Sequence, residues 1–155
     1  MVLRKAILGD VDVLIRLRLD YLREDRGTLS PAEEEAITGQ LLRYFPRAIA
    51  DNSCVVYLAE EGGQILSTAF LTISERPANP SFITGIVGTL SNVLTYPAYR
   101  RRGLATRVIS AIIGEARRLG VSSIDLSATA DGKPLYEKLG FHVSHYTAMR
   151  LMIEQ

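Results

Sequence analysis

The sequence predicts a mixed α/β fold, in which a mostly antiparallel sheet contains one parallel strand pair. Two runs rich in Val, Ile, Thr, Phe and Tyr, residues 53–60 and 65–74, are joined through Gly62 and Gly63, which suit a tight hairpin. A strand-like run over 82–96, a long amphipathic pattern and an apolar run over 121–128 then form a strand–helix–strand unit. Such a unit brings its two strands parallel to each other.

The N-terminal third is expected to hold one strand and two helices. Residues 2–8 predict the strand, and Asp10 is placed to cap a helix over 11–25. Ser30 begins the second helix with the pattern of a capping box and a proline at the first helical position. We expect Pro46 to kink or interrupt this helix, because proline lacks an amide hydrogen and crowds the preceding turn.

The second half of the chain supplies the remaining elements. Residues 75–81 contain two prolines and an asparagine, which is typical of a loop. Apolar side chains recur at helical spacing over 103–119, and Gly120 follows where a C-terminal glycine is expected. A short helix over 134–139 and one or two strands over 141–153 complete the order β, α, α, β, β, β, α, β, α, β.

Length, charge and cysteine content restrict the class of protein. The 155 residues are expected to form a single domain, residues 1–155, with a substantial core. A net charge of +1 provides no general attraction for nucleic acid or an anionic membrane, and no stretch is apolar enough to span a bilayer. The one cysteine, Cys54, lies in an apolar run and fits a buried structural role in a reducing compartment. We therefore expect a soluble cytoplasmic protein, and homodimer formation is left open.

The most informative segment is a glycine turn that precedes the long helix. Three arginines are followed by a glycine and the first residues of that helix: Arg100, Arg101, Arg102, Gly103, Leu104, Ala105 and Thr106. Glycine and a small residue permit close approach of the backbone, and the free amides of a helix start favour a phosphate or pyrophosphate. A solvated arginine run, a nucleic-acid patch and a simple turn glycine are the competing interpretations.

This segment resembles a known family motif. Asn92-Val93-Leu94-Thr95-Tyr96-Pro97-Ala98-Tyr99, followed by the glycine turn, is similar to the central motif of the GNAT superfamily of N-acetyltransferases: Arg or Gln, two residues, Gly, one residue, then Gly or Ala. Gly132-Lys133-Pro134-Leu135-Tyr136-Glu137-Lys138-Leu139-Gly140-Phe141 is similar to the family's C-terminal motif. The resemblance extends over about residues 53–153. It implies a central parallel strand pair in a mostly antiparallel sheet, with helices on both faces.

The resemblance also implies acetyl-CoA as the acyl donor, without a metal. Its pyrophosphate is expected on the amides of Arg101, Arg102, Gly103, Ala105 and Thr106. Its pantetheine arm is expected along Val93, Leu94 and Thr95. In the family this strand carries a bulge that separates it from the next parallel strand and admits the acyl donor. A backbone amide at the bulge can face the thioester oxygen, as an oxyanion donor should.

The loop after the second cleft strand departs from the family pattern. Many members have an asparagine there that bonds the pantetheine, whereas residues 127–132 contain none. Thr129 or Ser127 is expected to replace part of this bonding.

Tyr136 is the residue expected to handle the leaving thiolate. When the tetrahedral intermediate collapses, the thiolate needs a proton, and a phenol with a pKa of about 10 can supply it. In GNAT members a tyrosine at this motif position often serves as that general acid. The alternative interpretation is an aromatic ring that packs on Phe141. A chain without the chemistry would be an acyl-CoA-binding sensor or interaction domain of the same fold.

The general base is left open by the sequence. Asp125 lies on the strand beside the cleft and Glu75 near the end of an adjacent strand, while Asn92 is well placed but not basic. His142 and His145 are three positions apart on a predicted strand and so point to opposite faces, which argues against a shared metal site. A structural role is expected for both histidines.

The acceptor is expected to be a primary amine of a small molecule or a peptide, which attacks the thioester directly. Its selection is assigned to the first two helices with their connection over 25–30, and to the loop over 76–82. The acidic run Glu33-Glu34-Glu35 would attract a cationic amine, but such a run at a helix start more often complements the helix dipole.

Overall fold

The structure is a computed structural model that describes residues 1–154. Its strands are β1 (Val2–Lys5), β2 (Cys54–Glu61), β3 (Gln64–Glu75), β4 (Ile86–Thr95) and β5 (Ser123–Asp125). Its α-helices are α1 (Val11–Arg26), α2 (Pro31–Ala50), α3 (Leu104–Arg118) and α4 (Lys133–Lys138). Short 3₁₀ turns over Leu8–Asp10 and Pro97–Tyr99 precede α1 and follow β4.

The strands form one sheet in the order β1-β2-β3-β4-β5. Neighbouring strands are antiparallel except β4 and β5, which are parallel and connected through α3. The predicted hairpin between β2 and β3 is confirmed: it turns at Gly62 and Gly63, with φ of 58° and 77°. The predicted strand–helix–strand unit with its parallel pair is confirmed as well.

Helices cover both faces of the sheet, because successive side chains of a strand point to opposite sides. One buried cluster joins α1 and α2 to the sheet: Leu14, Leu17, Leu41, Phe45, Val56, Leu58 and Phe70. A second buried cluster joins α3 to the opposite face: Val55, Leu71, Leu90, Val108, Ile109 and Ile112. The sheet is therefore the middle layer of a three-layer arrangement, and β4 contributes to both cores.

The start of α1 lacks the side-chain cap expected from Asp10. The Asp10 carboxylate instead accepts hydrogen bonds from the Arg4 guanidinium at 2.8 and 2.9 Å and from the amide of Ile7 at 2.8 Å. The Arg4 hydrogen bonds hold the pKa of Asp10 below its usual value. A buried carboxylate costs free energy unless it is paired with a positive charge. The Asp10 carboxylate therefore bonds Arg4 of β1 and not the amides at the start of α1. The expected cap is wrong.

Helix α2 begins as predicted but continues further than expected. Ser30 Oγ accepts from the amide of Glu33 at 3.1 Å, and the Glu33 carboxylate accepts from the amide of Ser30 at 2.9 Å, which confirms the capping box. Pro46 lies inside the helix, so the expected interruption is wrong. Both Pro46 and Leu42, whose carbonyl loses its donor, are exposed, and water can bond that carbonyl.

The end of the chain differs from the prediction. Within the described part, residues 139–154 form neither helix nor strand, so the strands predicted over 141–153 are wrong. Three apolar side chains in this segment, Val143, Tyr146 and Met149, are 72 to 92% exposed. The apolar pattern indicates only a local preference for extended backbone, whereas a strand also needs a neighbouring strand to bond. In the described residues this segment does not pair with β5. Helix α3 ends before Gly120, as predicted.

Candidate active site

A bulge interrupts β4 in its second half. Thr68 of β3 pairs with Leu94, and Phe70 pairs with Ser91, so two β4 residues, Asn92 and Val93, stand opposite the one residue between them on β3. Asn92 has the left-handed φ of 52°. On its other side β4 pairs with β5 only over residues 87–89. Among the described strands, β4 therefore has a free edge from residue 90 to residue 95.

The three β4 residues expected beside the pantetheine lie along this free edge. Leu94 is 2% exposed and packs into the core beneath α1 and α2. Val93 and Thr95 are half-buried, and Thr95 Oγ1 shares a hydrogen bond of 2.8 Å with Ser67 Oγ. The side chains thus anchor β4 to the protein on both faces, and its backbone edge is left for a ligand except at the Thr95 carbonyl, which accepts from Arg100 Nε.

The three arginines occupy the turn between β4 and α3, and they differ in their partners. Arg100 Nε donates to the carbonyl of Thr95 at 2.9 Å, and its guanidinium also bonds the carboxylate of Glu24 on α1. Arg101, with φ of 63°, and Arg102 are exposed and have no ion pair within residues 1–154. Arg100 thus holds the turn to α1, and the other two cations remain available for an anion.

Gly103 makes the start of α3 accessible. Its φ is 73°, and no heavy atom lies within 4 Å of the position that a Cβ would take. The first helical hydrogen bond runs from the amide of Arg107 to the carbonyl of Gly103 at 3.2 Å. The amides of Leu104, Ala105 and Thr106 precede it and have no helical acceptor. No side chain caps this end of the helix. The start of α3 thus presents three free amides to the surface.

Tyr136 lies half-buried on α4. Its ring packs edge-on against Phe141, with 6.0 Å between the centroids and 75° between the planes. Burial, together with the nearby phenol of Tyr21 on α1, raises the pKa of Tyr136. Within residues 1–154 no group hydrogen-bonds its hydroxyl. Ring packing and a proton-donating role are both compatible with this position, because packing fixes the ring and leaves the hydroxyl without a competing partner.

Thr129 helps to begin α4. Its hydroxyl oxygen accepts from the amide of Gly132 at 3.1 Å, and its carbonyl accepts from the amide of Lys133 at 3.0 Å. The hydroxyl proton is not used in these bonds. Thr129 therefore retains one donor for a further partner.

The carboxylates named as candidate bases stand at different distances from the bulge. Glu75 pairs with Ile86, six positions from Asn92 along β4, which corresponds to roughly 20 Å. Asp125 pairs with Thr89, three positions from Asn92, which corresponds to roughly 10 Å. Glu75 is thus too far away for proton transfer at the bulge, and Asp125 needs an intervening water.

The remaining candidates do not converge on the bulge. His142 and His145 are exposed in the segment after α4. Cys54 is buried, and burial raises the pKa of its thiol to about 11, which confirms the structural role expected for it. Across the described residues, no three His, Cys, Asp or Glu side chains come together in a way that could hold a metal ion.

Sequence reasoning missed Arg18. Arg18 Nη1 donates to Asn92 Oδ1 at 3.1 Å, and Asn92 itself is 1% exposed. Asn92 Nδ2 is buried and has no hydrogen-bond partner among the described residues. Its spacing in the sequence could have identified it. Arg18 lies one helical turn from both Leu14 and Leu22 and therefore on the buried face of α1.

A pocket of about 600 Å³ lies next to Arg18, between α1, α2 and the sheet. Its walls combine charged, polar and apolar side chains: Arg18, Leu22, Arg26, Leu29, Glu33, Ala36, Ile37, Gln40, Leu41, Tyr44, Phe45, Cys54, Phe70, Thr72 and Ser91. The first two helices form much of it. The loop over 76–82 does not line it, because that loop follows the far end of β3, where the amide of Arg76 donates to the carbonyl of Gly85 at 2.7 Å.

Three features define a class of acyl-CoA-binding folds: the parallel pair β4–β5 that separates after residue 89, the bulge in β4, and the uncapped start of α3. Comparison with known proteins agrees with this class. Residues 14–141 match the model of the acetyltransferase (GNAT) family. The chain belongs to this family. In residues 1–154 no helix is long and apolar enough to cross a membrane.

Individual relatives support this assignment. A predicted acetyltransferase from Clostridium acetobutylicum, whose crystal structure was determined with acetyl-CoA, is 31% identical, with a TM-score of 0.83 over 96% of this chain and 95% of that one. Glucosamine 6-phosphate N-acetyltransferase from Trypanosoma brucei brucei is 33% identical over 98 residues, which are 62% of this chain and 63% of the relative. The uncharacterized N-acetyltransferase YitH of Bacillus subtilis strain 168 is 36% identical over 63 residues, which are 41% of this chain and 22% of the relative. The match thus spans less than two thirds of either curated relative.

Proposed function

We propose that this protein transfers an acetyl group from acetyl-CoA to a primary amine. One observation carries the proposal: the free edge of β4 over residues 93–95 leads through the arginine turn to the open amides of residues 104–106. Acetyl-CoA has an arm that contains amides and an end that is anionic. The arm can pair with the backbone edge of β4, and the anionic end can bind the free amides at the start of α3. The similar Clostridium acetobutylicum protein, solved with acetyl-CoA, supports it.

The donor would be held by charge as well as by hydrogen bonds. Arg101 and Arg102 are exposed beside the helix start, and neither is committed to an ion pair in the described residues. A pyrophosphate there would accept from the amides of Leu104, Ala105 and Thr106 and neutralise both guanidinium groups. Thr129 has a hydroxyl proton for the pantetheine arm, in place of the asparagine found in many family members.

The chemistry requires one nucleophilic attack and two proton transfers. The amine nitrogen attacks the thioester carbonyl carbon, and a backbone amide at the β4 bulge stabilises the resulting oxyanion. The carbon–sulfur bond then breaks, and the departing thiolate takes its proton from the Tyr136 hydroxyl. The proton on the amine nitrogen leaves to water, since the candidate carboxylates lie roughly 10 Å or more from Asn92.

The acceptor class is a primary amine of a small molecule or a peptide. The name of the trypanosomal relative gives a phosphorylated amino sugar as that enzyme's acceptor, which supports a small molecule for this chain. A pocket of about 600 Å³ beside the bulge has the size for such a molecule.

Donor binding is tested by isothermal titration with acetyl-CoA. Gly103→Asp adds a carboxylate beside the helix start and should weaken binding at least tenfold, through repulsion of the pyrophosphate. Gly62→Asp is the matched control: Gly62 also has a positive φ, of 58°, and no atom within 4 Å of its Cβ position, but it lies in the β2–β3 hairpin. Equal affinity of both variants would refute the donor site.

Turnover is tested separately by release of the CoA thiol over a panel of amines and peptides. Acetylation of at least one primary amine is expected. Binding of acetyl-CoA without turnover of any acceptor would instead identify a non-catalytic acyl-CoA-binding sensor or interaction domain of the same fold.

A further inference from the structure

Arg18 is a charged side chain whose surroundings do not balance its charge. It lies half-buried on α1 and lines the pocket beside the bulge. Its contacts in the described residues are the hydrogen bond to Asn92 Oδ1, at 3.1 Å, and a position over the ring of Tyr21, 5.9 Å from the centroid. No carboxylate of residues 1–154 forms an ion pair with it. Burial accordingly lowers the pKa of its guanidinium.

Such an arrangement is costly in the absence of a ligand. A guanidinium has five N–H donors, and withdrawal of a charge from water is unfavourable unless hydrogen bonds and an opposite charge compensate for it. Arg4, by contrast, is compensated, because it bonds both Asp10 and Glu60. Arg18 therefore has N–H donors free to bind an anion, and it lines a pocket.

Asn92 adds a second unused donor at the same place. Because Oδ1 accepts from Arg18, the amide orientation is fixed and Nδ2 is the free end of the group. Nδ2 is buried without a partner in the described residues, and a buried amide donor left unpaired costs free energy. Arg18 and Asn92 are thus two adjacent donors, one of them charged: Asn92 does not itself line the pocket, but it is bonded to Arg18, which does.

The rest of the pocket contains little to attract a cation. Glu33 is its one acidic side chain among the described lining residues, and its carboxylate already accepts from the amide of Ser30. Arg26 adds a second positive charge to the lining, and its ion pair with Asp25, at 3.8 Å, balances part of that charge. Most of the remaining wall is apolar: Leu22, Leu29, Ile37, Leu41, Phe45 and Phe70.

We propose, on the basis of the function proposed above, that the acceptor is an amine that also carries a carboxylate or phosphate, and that this anion binds Arg18 and Asn92 Nδ2. Both the anion site and the reacting thioester lie at the bulge, so the anion and the amino nitrogen are separated by only a few bonds. The apolar wall receives the other end of the molecule. The acceptor class is therefore an amino-acid-like compound with an apolar side chain, and polyamines are disfavoured by repulsion from the unpaired charge of Arg18.

The substrate test uses three compounds that differ at one group. L-phenylalanine carries a carboxylate, its phosphonate analogue 1-amino-2-phenylethylphosphonate carries a phosphate-like group, and phenethylamine carries neither. We expect kcat/KM for the better anionic compound to exceed that for phenethylamine at least tenfold. Preference for the carboxylate or for the phosphonate distinguishes the two sources of the anion. An equal or higher kcat/KM for phenethylamine would overturn the proposal.

The residue test uses variants of Arg18 and Asn92. Arg18→Met keeps the length of the side chain and removes its charge, and it should abolish the preference for the anionic amine, while Arg18→Lys restores part of it. Asn92→Asp places a carboxylate against Arg18 and should also remove the preference. Arg43→Met is the control, because Arg43 is an exposed arginine of α2 outside the pocket wall. Retention of the preference in both Arg18→Met and Asn92→Asp would overturn the proposal.

A binding measurement separates this proposal from the proposed function. With free CoA present no acetyl group can move, and the affinity for L-phenylalanine or its phosphonate can be measured by titration. We expect at least tenfold tighter binding than for phenethylamine in the wild-type protein, and no difference in Arg18→Met. This result supports the anion site even if no amine is acetylated. Equal affinities in the wild-type protein overturn it, whether or not turnover occurs. Unchanged affinity for acetyl-CoA in Arg18→Met shows that the variant is folded.

Discussion

The ring of Tyr136 lies directly against the backbone of Gly132. A Cβ added at Gly132 would be 3.2 Å from Tyr136 Cε2 and 3.3 Å from Thr129 Oγ1. Both distances are shorter than ordinary van der Waals contact. The backbone at Gly132, with φ of −82° and ψ of −22°, is one that any residue can adopt. Glycine at this position therefore supplies space, which sets how close the Tyr136 ring sits to the start of α4.

Gly132→Ala should displace the Tyr136 ring by a few tenths of an ångström and lower kcat. We expect a loss of about tenfold, because a proton donor must be held close to its productive position. Affinity for acetyl-CoA, measured by titration, should change less than kcat does, because Thr129 Oγ1, 3.3 Å from the added Cβ, belongs to only one of the proposed contacts to the donor. Gly114→Ala is the control: Gly114 is exposed in α3 with no atom within 4 Å of its Cβ position. Equal kcat in both variants would contradict a role for the ring position.

Tyr136→Phe removes the hydroxyl and keeps the packing on Phe141. We expect kcat to fall about a hundredfold, the usual contribution of a general acid, with the affinity for acetyl-CoA unchanged. Burial raises the pKa of Tyr136, so the wild-type group stays protonated, and able to donate, up to about pH 10. The dependence of kcat on this hydroxyl should accordingly persist from pH 7 to pH 10. Full activity of the variant would exclude Tyr136 as the acid.

Glu115 should make the folded state sensitive to acid. It is 9% exposed and accepts from Lys5 at 3.0 Å and from Arg118 Nε at 3.1 Å, which lowers its pKa to about 2, chiefly through Arg118. Because the pKa of Glu115 is lower in the folded than in the unfolded protein, Glu115 stabilises the fold at pH values above about 4.5, its pKa in the unfolded chain. This stabilisation is lost as the pH falls towards 2. Because Arg118 is largely exposed, we expect a contribution of about 1 to 2 kcal/mol.

The measurement is urea unfolding between pH 2 and pH 6 for the wild-type protein and Glu115→Gln. The variant should lose stability at pH 6 and show a flatter dependence on pH. Glu35→Gln, which removes an exposed carboxylate without an ion pair in the described residues, should follow the wild-type curve. Parallel curves for the wild-type protein and Glu115→Gln would contradict the assignment.

Cys54 should be unreactive in the folded protein. Its thiol is buried at the base of the pocket, and with a pKa of about 11 its thiolate fraction at pH 8 is roughly a hundredfold below that of a free cysteine. Reaction with a disulfide reagent at pH 8 should be slow in the native protein and complete in urea. A fast native reaction would show that the pocket admits reagents to Cys54.

The local parts of the fold could be predicted because they depend on neighbours in sequence. The Ser30 capping box, the glycine hairpin between β2 and β3, and the end of α3 before Gly120 each follow from a few adjacent residues. Asp10 and the strands expected over 141–153 depend on contacts remote in sequence. Asp10 pairs with an arginine on β1, and the final segment lacks a neighbouring strand.

The candidate site divides in the same way. The turn at Gly103 and the motif of Tyr136 are contiguous, so sequence reasoning found them. Arg18 and Asn92 are 74 positions apart, and their hydrogen bond exists only because α1 packs over the bulge of β4. The sequence pattern places Asn92 well, but it does not indicate that an arginine of the first helix reaches it.

The short pairing of β4 with β5 has a consequence for the stability of the protein in the cell. On the proposed binding mode, acetyl-CoA occupies the edge of β4 beyond residue 89, so a metabolite supplies the hydrogen bonds that a longer strand would otherwise make. The free energy of unfolding then includes a share that depends on the metabolite, about 2.7 kcal/mol when its concentration is a hundredfold above its dissociation constant. Those amides of residues 90–95 that point away from β3 would exchange with deuterium readily when acetyl-CoA is scarce and slowly when it is abundant, whereas the amides bonded to β3 would stay protected. The lifetime of the folded chain would thereby follow the supply of its own substrate.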